Sequence, residues 1–111
     1  MLNKIELEKL LEQLEIPFNE GISNDKYQNV FPRIVYWDFL WEPLTASGNE
    51  YNTKVIYQVS FYSDIPRHAK LIKLKKLLEE KNIFIRIEHE YVESKKCWHS
   101  YFGIEVLENI N

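Results

Sequence analysis

Two helices on one face of a four-stranded, mainly antiparallel sheet, in the order α-β-β-α-β-β, make up the α+β fold this sequence predicts. Three observations carry it. Residues Thr53 to Tyr62 alternate with a period of two: Val55, Tyr57, Val59 and Phe61 on one set, Lys54, Ile56, Gln58, Ser60 and Tyr62 on the other. That is a strand with one buried face. Next, Leu71, Leu74 and Leu78 recur at helical spacing while Lys70, Lys73, Lys76 and Glu80 lie mostly opposite, an amphipathic helix over Pro66–Lys81. Pro66 suits a first turn, where its missing N–H costs nothing. Third, aromatic residues make up 14 % of the chain, which tilts the balance toward sheet. Val55, Tyr57, Val59 and Phe61 are expected to point at the helices.

The remaining elements follow in chain order. Asn3 to Glu15 reads as a helix with Leu7, Leu10, Leu11 and Leu14 as its apolar stripe. Asn3 can cap it, Glu6 completes a capping box, and Pro17 ends it. Phe18 to Phe31 holds Gly21, Ser23, Asn24, Asp25 and Asn29 and reads as a loop. Pro32 to Leu40 is a strand, apolar on both sets of positions, as a strand buried on both faces or facing an interface would be. Trp41 to Asn52 is a long connection containing Pro43, Ser47, Gly48 and Asn49. Ile83 to Val92 alternates, with Ile83, Ile85, Ile87 and His89 on one face and Arg86, Glu88 and Glu90 on the other. After a polar turn at 93–96, Cys97 to Leu107 is the last strand: Trp98, Phe102, Ile104 and Val106 face one way, Cys97, His99, Tyr101, Gly103 and Glu105 the other.

Composition narrows the function classes. A chain of 111 residues fits one domain, 1–111, and can bury a core without staples. The single Cys97 excludes an intramolecular disulfide and suits a reducing compartment. A formal net charge of −3 argues against a general nucleic-acid binder. No apolar run approaches ~18 residues, and the charged N-terminus lacks an apolar signal core, so neither a membrane span nor export is expected.

Few constellations point to chemistry. His89, Cys97 and His99 are ligand types zinc uses and could face one another across the last hairpin, but they offer three ligands and no CxxC pair. Asp38, Glu88 and Glu90 could form a carboxylate cluster for acid–base or metal work. Their alternation with apolar residues is equally that of a solvent-facing strand face. Phosphate loops, GxSxG and HExxH are absent from the sequence. Lys70, Lys73, Lys75, Lys76 and Lys81 place positive charge along the second helix, interrupted by Glu79 and Glu80, which reads as a solvated face. The expectation is therefore no catalytic, cofactor-binding or metal site, and no enzyme. The connection from Leu40 to Tyr51 stands out instead. It is longer than a usual hairpin connection and carries apolar Trp41 and Leu44, so it is expected to be mobile alone and to order against a neighbour. Trp41, Leu44, Glu50 and Tyr51 are the candidate interface residues.

Three stretches carry a resemblance: PRIVYWDF from Pro32 to Phe39, ASGNEY from Ala46 to Tyr51, and YQVSFYS from Tyr57 to Ser63 with Pro66 and Arg67 after it. Together they resemble small minor capsid and tail-completion proteins of tailed phages and prophages, encoded among the head–tail joining genes. The resemblance covers Pro32 to Leu107; the first helix has no matching motif. The element order is also similar to that of tail terminators, which form a hexameric ring closing the tail tube at its head end. The resemblance implies a structural role in virion assembly, without turnover and without a cofactor. It implies a ring of like subunits, a hexamer in the virion and able to remain monomeric in isolation. Connector and tail-tube proteins would be its neighbours, DNA would pass through the ring without specific recognition, and no membrane would be involved. Its place would be the host cytoplasm during assembly and the head–tail junction afterwards. Two rivals remain: a small metal-dependent enzyme or nuclease using Asp38, Glu88 and Glu90, and a bacterial binding or regulatory domain.

Overall fold

The computed structural model describes residues 1–21, 29–45 and 50–111. Its elements are β1 (Leu2–Asn3), α1 (Lys4–Glu12), β2 (Phe18–Glu20), β3 (Arg33–Pro43), β4 (Thr53–Ser63), α2 (Ala69–Glu80), β5 (Glu88–Val92) and β6 (Cys97–Glu108). The fold is α+β with two helices, as expected, but the sheet is six-stranded and mixed rather than four-stranded and mainly antiparallel. The order is β1-β6-β4-β3-β2, with β5 also on β6. The long antiparallel ladders β3–β4 and β4–β6 form its centre. Parallel β2 extends one edge, pairing Phe18–Glu20 with Ile34–Tyr36. Two-residue β1 runs parallel to Val106 and Leu107.

Each departure from expectation has a local cause. β2 lies within the stretch expected to be loop; three residues are too few to show a period, and Gly21, at φ 95°, turns the chain away while its N–H bonds Tyr36 O. The capping box at Asn3 and Glu6 forms as expected. α2 starts three residues later than Pro66, at Ala69. Arg67 sits at φ 53°, outside the helical region, and the His68 ring accepts from the Lys70 N–H as the N-cap. At its other end the Asn82 N–H bonds Glu79 O and the Ile83 N–H bonds Leu78 O, with Asn82 at φ 64°. That is a Schellman motif. It holds Ile83 against the helix, and Ile85 and Ile87 then face α2 beside Leu71 and Ile72. Only Glu88 onward joins β6, so the expected strand from Ile83 is half realised.

One core lies between the sheet and both helices. Leu7, Leu10, Leu11 and Leu14 of the first helical stretch and Leu71, Leu74 and Leu78 of α2 meet Val55, Tyr57, Val59 and Phe61, all of them buried, with Ile34, Tyr36, Phe102, Ile104 and Val106 alongside. Both leucine stripes thus use the same sheet face. Lys73 Nζ donates to Gln13 O at 2.9 Å, placing a cation at the α1 C-terminus, where the helix dipole favours it. Among the described residues no helix is long and apolar enough to cross a membrane.

Candidate assembly surface

A β-bulge shapes the far end of the β3–β4 ladder. Asp38 opposes Tyr57 and Leu40 opposes Ile56, so Phe39 is the extra residue. The bulge reverses which side chains face which way: Ile34, Tyr36 and Asp38 share the helix-side face before it, and Trp41 joins that face after it. Trp41 lies beyond the helices and is 58 % exposed, with Phe39 at 59 % and Leu40 at 42 %. The Trp41 indole N–H donates to the Asp38 carboxylate, bridging the bulge and fixing the ring. Trp41, Glu42 and Pro43 pair with Val55, Lys54 and Thr53, so they are strand, not part of a loop. Pro43 ends the strand at a sheet edge, where its missing donor is tolerated.

Of the four residues singled out from the sequence, Trp41 and Glu50 are exposed, while Leu44 and Tyr51 are half-buried. The Leu44 N–H bonds Asn52 O, the Asn52 N–H bonds Glu108 O, and the Asn3 amide donates to the Tyr51 hydroxyl at 3.2 Å. The base of the connection is therefore tied to β6 and to the α1 cap. Of the connection from Leu40 to Tyr51, expected to be mobile throughout, Trp41 to Pro43 are paired strand and 46–49 lie outside the described residues. Lys54 bridges Glu42 at 3.0 Å and Glu105 at 3.6 Å on the face away from the helices, while Asp38 lies beside Trp41 on the helix side of the same strand end.

On the sheet face away from the helices, one row crosses four strands: Arg33, Tyr62, His99 and Glu90 stand directly opposite one another. The Arg33 guanidinium lies 4.4 Å from the Tyr62 ring centroid and 5.1 Å from that of Phe31, and its Nη1 donates to Val30 O. Burial lowers its pKa and raises that of Tyr62. His99 stacks between Tyr62, at 4.6 Å, and Tyr101, at 4.8 Å. Its Nδ1 is 2.9 Å from Glu90 Oε1 and its Nε2 2.7 Å from Ser60 Oγ. Both ring nitrogens are engaged, so the row braces the sheet. Sequence alternation set Tyr62, His99 and Glu90 opposite the apolar positions of their strands and assigned Arg33 to neither face; the register that aligns the four is a tertiary fact.

The candidate chemical sites come apart. His89 opposes Ser100 while His99 opposes Glu90, so the two histidines lie on opposite faces, and Cys97 is fully buried. Asp38 faces the helix side and bonds Trp41; Glu88 and Glu90 lie on the other face, bonded to Tyr101 and His99. Among the described residues no group of three or more His, Cys, Asp or Glu could hold a metal ion. His89 Nδ1 does lie 2.7 Å from Ser100 Oγ, and among the described residues no carboxylate bonds that histidine. Of the α2 lysines, Lys73 binds the α1 terminus and Lys75 pairs with Glu79 at 2.9 Å. Compared with known protein families and with curated proteins, the sequence matches none.

Proposed function

We propose that this chain is a structural protein of virion assembly in a phage or prophage, a ring-forming component of the head–tail junction of the tail terminator, tail-completion or minor capsid kind. The observation that carries its assembly role is the corner at the end of β3, where Phe39 and Leu40 stand exposed on the sheet face away from the helices and Trp41 stands exposed on the helix-side face of the same paired strand. Large apolar residues left exposed together at one strand end mark a partner surface. The β3 edge beyond Tyr36 is also unpaired among the described residues, which leaves backbone groups available to a neighbour. The phage assignment rests on the resemblance of the stretches from Pro32 to Arg67.

In this reading the protein acts by position, not by turnover. Subunits join in a ring, contact connector proteins on one side and the tail tube on the other, and leave a passage for DNA. It works in the host cytoplasm during assembly and in the virion afterwards. The test is mass photometry of the purified chain over rising concentration, followed by electron microscopy with purified tail tubes. A closed oligomer of one stoichiometry, free or on the tube end, is expected. A chain that stays monomeric throughout and never decorates tubes would contradict the proposal.

A further inference from the structure

A second surface lies diagonally across the molecule from the β3 corner. α2 and the unpaired segment leading into β5 enclose a groove of about 510 Å³ lined by Leu71, Ile72, Ile85 and Ile87, with Arg67, Lys75 and His89 at its rim. A smaller hollow of about 260 Å³ continues it past Arg67 and His89 to Trp98. Ile72 is 44 % exposed at this groove. Glu88 and Glu90 point to the opposite sheet face, so the groove does not see them. Glu79 is the one carboxylate paired at its rim, on Lys75; Arg67 has no ion-pair partner among the described residues.

We infer that this groove receives Trp41, at the end of β3, from a second copy of the chain. This contact presupposes the self-assembly proposed above and names its two faces. Charge selects the pairing. The strand end that carries Trp41 is acidic, with Asp38 beside the indole and Glu42 and Glu105 outnumbering Lys54 on its other face; the groove is apolar with a cationic rim, Arg67 and Lys75. Corner against corner sets carboxylates together, and groove against groove sets cations together. Both symmetric pairings are therefore repulsive, and corner-to-groove is favoured.

Geometry requires two copies. Trp41 aligns through Val55 with Val106, whereas His89 aligns with Ser100, six residues along β6 and on the far side of it. With strands ~4.8 Å apart and ~3.4 Å per residue, corner and groove are roughly 25 Å apart in one chain. No single chain can close that contact on itself. A heterologous contact of this kind builds a ring when its rotation closes and a filament when it does not.

Cross-linking tests it. Glu42→Cys and Lys75→Cys place one thiol on each rim while leaving the apolar residues in place. Cys97 is fully buried, so the wild-type chain serves as the unreactive control. With a short bismaleimide, at a concentration where the wild-type chain associates, the mixed pair should give Glu42→Cys to Lys75→Cys dimers well above either self-dimer. The doubly substituted chain should give a ladder. In a parallel arm, Arg67→Glu should weaken association, and adding Glu42→Arg copies should restore it. Self-dimers in excess, or association of the wild type without the mixed product, would overturn the corner-to-groove contact while leaving self-assembly standing. No association of the wild type, alone or on tail tubes, would overturn both.

Discussion

Tyr36 shows how one buried hydroxyl sets a property of the whole chain. Its ring packs between Phe18 and Tyr57, with centroids at 6.4 and 5.9 Å. Burial, with Glu8 and Glu20 adding to it, pushes its pKa from 10.0 to about 12. Tyr57 moves the same way, from burial and from its hydroxyl donating to Glu108 at 2.6 Å. The folded state thus keeps a proton that the unfolded chain releases near its ordinary value of ~10. Stability from Tyr36 is complete below that pH and is lost as pH rises from about 10 to about 12, because the unfolded chain then holds fewer protons. Urea unfolding measured from neutral pH upward should show stability falling above about 10, and Tyr36→Phe should flatten part of the fall. An identical slope in the variant would show that Tyr36 ionises as readily folded as unfolded.

At the scale of elements, ends decide more than middles. α2 stops where Asn82 takes a left-handed conformation and closes the Schellman pair of bonds. An alanine there must adopt a conformation costing roughly 1–2 kcal/mol for a residue with a Cβ. Asn82→Ala should lower stability by about 1 kcal/mol, whereas Asn82→Gly should be neutral or stabilising. Chemical denaturation of both checks it, and equal effects would remove the left-handed cap as the cause. Elements of ten or so residues were legible in the sequence because their periods repeat. The leucine stripes at Leu7–Leu14 and Leu71–Leu78 and the alternation from Val55 to Phe61 each named their buried face, and those residues form the core. The capping box at Asn3 was legible too, since it is a local rule. β1 and β2 were not. Two or three residues carry no period, and their pairing to β6 and β3 exists only in the folded chain. The bulge at Phe39 was hidden for a related reason: Ile34 to Leu40 is apolar on both sets of positions but for Asp38, so no alternation exists there to break, and only register against β4 shows the extra residue.

Over the whole molecule, the same tertiary facts decide which surfaces are left for a partner. Trp41 was legible as a candidate, but as part of a loop; the structure makes it a fixed ring on a strand, bonded to Asp38. The groove between α2 and Ile85–Ile87 was not legible at all, because Ile83–Ile87 reads as strand and gives no hint that it leans on a helix instead. Trp41 is 58 % exposed, so its removal should leave the fold nearly as stable, within the ~0.5 kcal/mol usual for surface sites. A buried tryptophan anchor at an interface contributes about 2 kcal/mol or more, close to thirtyfold in the association constant. The deciding measurement is therefore paired, on Trp41→Ala and wild type: circular dichroism for the fold, and light scattering for ring formation, alone and on tail tubes. An unchanged spectrum and melting profile with assembly weakened by about thirtyfold or more is the predicted result. Unchanged assembly would remove Trp41 from the interface, and a lost fold would make it a structural residue; either contradicts the account.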